Sequence, residues 1–374
     1  MHTSPTLLDK LAYERVREAL ADRAATRLGM ARARALAPLP DRATAQRRLE
    51  RAEAIAADGD LPLGGIEDVR PLLHDAREGR MLEGREILSV AYTLEGADRL
   101  RRDVAERDRP VLTELAERMG SFEGWLRRVR EQLDADGEVK DDATPKLREI
   151  RRRLRPLRGR IRDKMEKLLE RYASSVQDPI VTLRRDRYVI PVQASAQGKV
   201  PGIALDTSDS GRTVFVEPQE VVPLNNELAL LEFEERDEVR RVLLELGRSV
   251  ADHPEVDPTL DLIAWLDLAN ASARLAEDWR LLRAEAPAGD PDAPAAMREV
   301  RLPRARHPLI DGCVPNDLVL DAGYRLLVVT GPNAGGKTVL LKTLGLAVLM
   351  AQSGLGVAAG EPADPPRLPW FDAV

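Results

Sequence analysis

The run RLLVVTGPNAGGKTVLLKTLGL, residues 325–346, limits what this chain can fold into more than any other stretch. Gly331, Gly336, Lys337 and Thr338 fit the spacing G-x-x-x-x-G-K-[ST], with an apolar run before it and a helical pattern after it. Glycines at these positions let the backbone wrap until consecutive N–H groups point at phosphate oxygens. A lysine then neutralises the outer phosphates, and a hydroxyl holds the Mg²⁺ that travels with the nucleotide. A helix that starts at Thr338 aims its positive end at the same anion. The stretch therefore predicts a strand over 325–329, a phosphate loop, and a helix from Thr338. ATP with Mg²⁺ is the expected ligand. Its phosphates fall to Gly331, Pro332, Asn333, Ala334, Gly335, Gly336, Lys337 and Thr338, with Lys337 as the catalytic residue and Thr338 at the metal.

Hydrolysis asks for more than this loop. A later strand must end in an acidic residue for Mg²⁺, and another group must position the attacking water. After Thr338 the sequence offers one helix and then VAAGEPADPPRLPWFDAV, in which Asp372 comes too early and follows too short an apolar run. The expectation is an ATPase domain cut short, which holds nucleotide without turning it over.

The other residues read mainly as helix. Aromatic side chains make up 3% of the chain and charged ones 32%, a mixture that favours long solvated helices over a β-rich fold. Leu7, Leu8, Leu11, Val16, Leu20 and Leu28 recur at helical spacing, which predicts an amphipathic helix over 7–37 that Pro38 and Pro40 end. Asp41 is placed to cap the next helix, and Pro145 suits the first turn of a long basic one. Further helices are expected over 71–80, 86–105 and 108–134, and Pro156 should kink the basic helix. From residue 180 the pattern changes: IVTLRRDRYVIPV and VPGIALDTSDSGRTVFVEP carry the β-branched and aromatic residues of strands. Helices resume at 221–252 and 258–282. The fold class is thus mainly α with α/β: a helical core over 1–135, an arm helix over 136–179, a β-rich tip over 180–220, and returning helices over 221–285. A Pro/Ala-rich linker (286–298) then leads into a partial P-loop domain (299–374).

A net charge of −6 gives no overall pull toward nucleic acid, so any polyanion contact must be local. Two local candidates exist. Arg184, Arg185 and Arg187 cluster at the start of the β tip, with Lys199 and Arg212 further along; such side chains would grip phosphates without reading sequence. The helix from Arg148 to Lys164 holds nine basic residues against Glu149 and Asp163, and Arg152, Arg155 and Arg162 are its first choices for contact. Charge runs of this kind also serve as solvated helix faces, and charged strand edges also guard against aggregation, so both readings stay open. The single cysteine, Cys313, excludes a disulfide framework and suits a reducing compartment. No apolar run reaches membrane-spanning length, and a cytoplasmic location is expected.

TGPNAGGKTVLLKTLGL, preceded by RHPLI and VPNDLVL, resembles the MutS family of DNA-processing ATPases. Thr338 with its VLLKTLGL continuation, the middle segments IVTLRRDRYVIPV and SGRTVFVEPQEVVPLNNEL, and the opening LLDKLAYERV point to the second bacterial lineage of that family, tied to recombination suppression rather than mismatch repair. Ala334 stands where repair proteins have Met, and the Phe122-Glu123-Gly124 stretch is not the wedge of mismatch readers. The resemblance covers nearly the whole chain. It implies an adenine edge near Val314, Pro315 and Asn316, with His307 close to the nucleotide, although a buried structural histidine reads equally well. It also implies a β-tipped clamp around DNA, a homodimer formed through the ATPase domains, and ATP-coupled clamp movement. Branched or duplex DNA and collided ribosomes with their rRNA are the implied partners. The lineage's Smr nuclease domain has no counterpart in these residues. Two alternatives remain: a binding module without ATPase activity, or another ABC-type coiled-coil ATPase, whose loop would sit ahead of its helices rather than behind them.

Overall fold

The computed structural model of the protein describes residues 5–287, 299–321, 326–330 and 336–372. Its elements run in the order α1 (Pro5–Lys10), α2 (Tyr13–Ala21), α3 (Arg27–Arg34), α4 (Arg42–Asp58), α5 (Arg70–Arg77), α6 (Gly84–Glu106), α7 (Pro110–Ala116), α8 (Glu123–Gln132) and α9 (Pro145–Arg171). Then come β1 (Thr182–Arg184), β2 (Arg187–Gln193), β3 (Gly202–Thr207), β4 (Thr213–Pro218), α10 (Val222–Ala251), α11 (Val256–Trp279), β5 (Val300–Ala305), β6 (Asn316–Leu320) and α12 (Lys337–Gln352). The chain is mainly α with small antiparallel sheets. It forms two compact units: one gathers residues 1–71, 89–123 and 253–374, the other 72–88 and 124–252.

In the first unit, apolar faces of α2, α11 and α12 meet around Tyr13, Val16, Leu20, Leu268, Leu275, Leu346, Leu349 and Met350. Each such side chain taken fully out of water contributes about 1.5–3 kcal/mol. The single helix expected over 7–37 is broken into α1, α2 and α3. The first break is at Ala12, in the left-handed region at φ 55°, and the second lies before Thr26, which caps α3. Asp267 of α11 explains the second break. Its buried carboxylate accepts from the Ala25 and Thr26 backbone N–H groups and from the Thr26 hydroxyl, at 2.9, 2.7 and 2.7 Å. The helix expected over 108–134 is likewise two, α7 and α8, and between them the Gly120 N–H donates to Thr259 of α11 at 2.9 Å. Asp41 does cap α4, accepting from the Thr44 N–H at 2.8 Å.

The second unit is built on α9, α10 and a four-stranded antiparallel sheet in the order β1-β2-β4-β3. Ile150, Leu154, Leu157, Ile161, Met165 and Leu168 line one stripe of α9 at three- and four-residue spacing. They pack with Ile190, Val192, Val214 and Val216 of the sheet and with Leu228 and Leu231 of α10. Pro145 opens α9, as the sequence predicts, and Thr144 caps it. The helix continues through Pro156 without interruption. Pro156 is exposed, so the Arg152 carbonyl that loses its donor can turn to water.

One expected element is missing among the described residues. Leu326–Val329 form no strand, and Leu326, Leu327 and Val328 are 75%, 46% and 68% exposed. A strand exists only through a neighbour that takes its N–H and C=O groups. Among the described residues no strand pairs with this segment.

Candidate nucleotide and nucleic-acid sites

Helix α12 begins at Lys337, one residue ahead of the start expected at Thr338. Gly336 precedes it at φ 77°, a conformation that glycine reaches without strain, and no atom would meet a Cβ there within 4 Å. The Leu340 N–H bonds back to the Gly336 carbonyl at 2.9 Å, so the turn that carries Lys337 and Thr338 is closed. Thr338 is exposed, and the buried part of the helix starts at Thr343. The helix thus presents an open, positive N-terminal turn and anchors its other end in the core. Gly331, Pro332, Asn333, Ala334 and Gly335 lie outside the described residues. Among the described residues no cluster of three His, Cys, Asp or Glu could hold a metal. For a nucleotide-borne Mg²⁺ the exposed Thr338 hydroxyl offers an oxygen donor of the kind that suits a hard cation.

The RHP segment packs close to this helix. His307 is buried, its Nδ1 accepts from the Leu309 N–H at 3.3 Å, and its own N–H points at Cys313 Sγ at 3.3 Å. Burial holds its pKa below the usual histidine value, and the charges of Lys342 on α12 and Arg15 on α2 add to that shift. The closeness of His307 to Lys342 is something that sequence spacing alone could not supply. Val314, Pro315 and Asn316 are exposed at the start of β6, where Asn316 Nδ2 donates to the Val314 carbonyl at 3.0 Å. Pro315 also edges a cleft of about 470 Å³ with Arg280, Arg304, Arg306 and Glu361. There Arg304 pairs with Glu361, and Arg306 caps the last carbonyls of α11 at Trp279 and Arg280.

At the β tip the clustered arginines have separate fates. Arg185 and Asp186 sit at φ 51° and 60° between paired Arg184 and Arg187, a two-residue hairpin turn of type I′. Arg185 is exposed at its apex. Arg184 stacks on Phe215 at 3.9 Å and lies 3.5 Å from Asp206. Arg187 is tied inward, to Glu217 at 2.7 Å and Asn226 at 2.8 Å. Lys199 and Arg212 are exposed. Residues 180–220 hold five basic and five acidic side chains, so the tip is locally patterned rather than basic overall.

The basic helix is mostly paired. Arg158 reaches Glu232 at 2.9 Å, Lys164 and Arg171 share Glu220 at 2.5 Å, and Arg151 bridges Asp141 and Glu235. Of the three preferred contacts, Arg152 pairs with Glu149 at 2.7 Å and Arg155 with Asp141 at 2.8 Å, yet both stay largely exposed. Arg162 is exposed and has no acidic partner among the described residues.

Known proteins place the chain. It is 45% identical to Endonuclease MutS2 of Thermus thermophilus over 98% of its length and 47% of that protein's. It is 39% identical to the Endonuclease MutS2 of Symbiobacterium thermophilum over 94% of its length and 44% of that protein's. The corresponding protein of a Geobacillus species gives 38% over 96% and 46%. The chain belongs to the MutS2 lineage of the MutS family. It spans about half the length of these curated relatives. A Gal4-like dimerisation domain also matches residues 108–159. In this MutS2-lineage chain that stretch holds α7, α8 and the first half of α9. No helix among the described residues is long and apolar enough to cross a membrane.

Proposed function

We propose that this chain is the nucleotide- and nucleic-acid-binding part of a MutS2-type machine. ATP with Mg²⁺ binds at the start of α12, and phosphate-rich nucleic acid, either branched or duplex DNA or ribosomal RNA, binds along the β tip and α9. The observation that carries the reading is the open first turn of α12, with left-handed Gly336 ahead of Lys337 and exposed Thr338. Lys337 meets the outer phosphates, Thr338 holds the cation, and the helix end stabilises the anion. Bound Mg²⁺ supplies charge neutralisation at the phosphates. The name endonuclease borne by the relatives supports a nucleic-acid substrate for the family. Pairing of two copies through the α12 region is part of the same reading, as is coupling of nucleotide to movement of the tip.

Titration with a fluorescent ATP analogue tests the first half. Saturable binding that Lys337→Ala abolishes is expected. Binding indifferent to that substitution would remove the nucleotide reading. Anisotropy with labelled duplex DNA, branched DNA and ribosomal RNA fragments tests the second half and ranks the partners. Affinity that does not weaken with salt would argue against phosphate contacts.

A further inference from the structure

The segments RRDRY and VFVEPQEVVPLNNEL are far apart in spacing, yet their polar residues meet in one buried knot. Glu217, at the end of β4, is 1% exposed, and its Oε1 accepts from Arg187 of β2 at 2.7 Å and from Asn225 of α10 at 2.9 Å. Asn225, also 1% exposed, brackets the backbone of Tyr188: its Oδ1 accepts from the N–H at 3.3 Å and its Nδ2 donates to the carbonyl at 3.1 Å. Arg187 extends its second arm to Asn226 at 2.8 Å. The other oxygen of Glu217 is buried without a partner, so Arg187 is the charge that makes this carboxylate tolerable in the interior.

Arg187 is the residue directly across from Arg184, and between them lies the turn with Arg185 at its apex. Strand β1 has three residues and pairs with β2 alone. A ladder so short does not hold its own orientation. Beyond the ladder that joins β2 to β4, the knot fastens the β2 end of the hairpin to β4 and to the first turn of α10.

We propose that Arg187 is a positioning residue and that Arg185 is the side chain of this hairpin that meets phosphate. The knot makes the hairpin and the start of α10 one rigid piece, so any movement of α10 carries Arg185 with it. Arg184, stacked on Phe215, is held to the sheet. The proposal rests on the nucleic-acid reading above and deepens it.

The experiment has two independent readouts. Anisotropy with fluorescein-labelled duplex DNA, between about 50 and 200 mM salt, reports how many phosphates are neutralised, because the logarithmic slope changes by about 0.9 per contact. Amide hydrogen exchange of residues 182–193 reports whether the hairpin is held. Arg185→Ala is expected to weaken binding several-fold, to lower the slope by about one contact, and to leave exchange unchanged. Arg187→Ala is expected to speed exchange across the hairpin at least tenfold and to weaken binding with the slope retained. Glu217→Gln keeps the shape and removes the charge, and it should loosen the same amides if the alanine variant does not fold. Unchanged exchange in Arg187→Ala, with a slope lowered as in Arg185→Ala, would make Arg187 a contact and overturn the proposal. If the unaltered chain shows no salt-dependent binding, the nucleic-acid reading fails and Arg185 loses its role. The exchange result then still decides whether Arg187 holds the hairpin.

Discussion

The Tyr13 hydroxyl and the Ser353 hydroxyl are hydrogen-bonded at 2.5 Å, and both residues are fully buried. Arg48 reaches the Ser353 carbonyl at 2.7 Å, so the C-terminal end of α12 is tied to α2 and to α4 at one point. Burial pushes the Tyr13 pKa up to about 12, which keeps its hydroxyl a donor at any ordinary pH. Tyr13→Phe leaves Ser353 with a lost partner in the core. It should lower thermal stability by about 1–2 kcal/mol, seen as an earlier unfolding midpoint in calorimetry.

Acid should find a second weak point at Glu238. Its carboxylate takes the Thr144 hydroxyl at 2.7 Å and Arg241 at 2.6 Å, with Lys146 at 3.3 Å. Arg241 is the largest influence that brings its pKa down to about 2. A depressed carboxylate stabilises the fold above its unfolded value, about 4.3, and that contribution fades as pH falls toward 2. The exposed ends of Arg241 and Lys146 reduce it through solvent screening to about 1–2 kcal/mol. Denaturant midpoints measured from pH 5 to about pH 2 should fall less steeply in Glu238→Gln than in the unaltered chain.

Gly29 is occupied space in all but name. A Cβ built there would lie 2.1 Å from the Asp267 carboxylate that holds the start of α3. Gly29→Ala must push that buried charge off its three donors, at a cost of about 3 kcal/mol or more. Circular dichroism melts should show a large drop in midpoint, with Ala31→Gly on the same helix as a milder comparison of about 1 kcal/mol.

The exposed run Leu326, Leu327 and Val328 has a solution consequence. Contiguous apolar side chains in water bind hydrophobic dyes and draw chains together. Replacing Leu326 and Val328 by Lys should reduce dye fluorescence and raise solubility while the unfolding midpoint stays within about 0.5 kcal/mol in stability. An unchanged dye signal would mean that the patch lies elsewhere.

The helix after the glycine run, the cap at Asp41, the start of α9 and the strands of the β tip were legible, because each depends on residues adjacent in sequence. The breaks at Ala12 and before Thr26 were not. The second depends on Asp267, more than 200 residues away, and a periodic pattern carries no trace of an acceptor on another helix. The arginines were legible as charges but not as roles: Arg185 and Arg187 look alike in a list and differ only because Glu217 and Asn225 lie beside one of them. The sequence around His307 suits either a place near the nucleotide or a buried structural residue. His307 is buried, and its neighbour Lys342 belongs to α12.

The paired helices α9 and α10 give the arm the character of an ion exchanger. Helix α9 carries twelve basic and four acidic side chains, but Glu220, Glu227, Glu232, Glu235 and Asp141 already occupy many of the basic ones. A polyanion that lies along α9 must displace carboxylates as well as counterions. Each swap trades one charge-assisted bond for another, so the gain per arginine is small and the ligand slides at little cost. On the nucleic-acid reading proposed above, an arm made this way would favour loose travel along a polymer over a tight grip at one place.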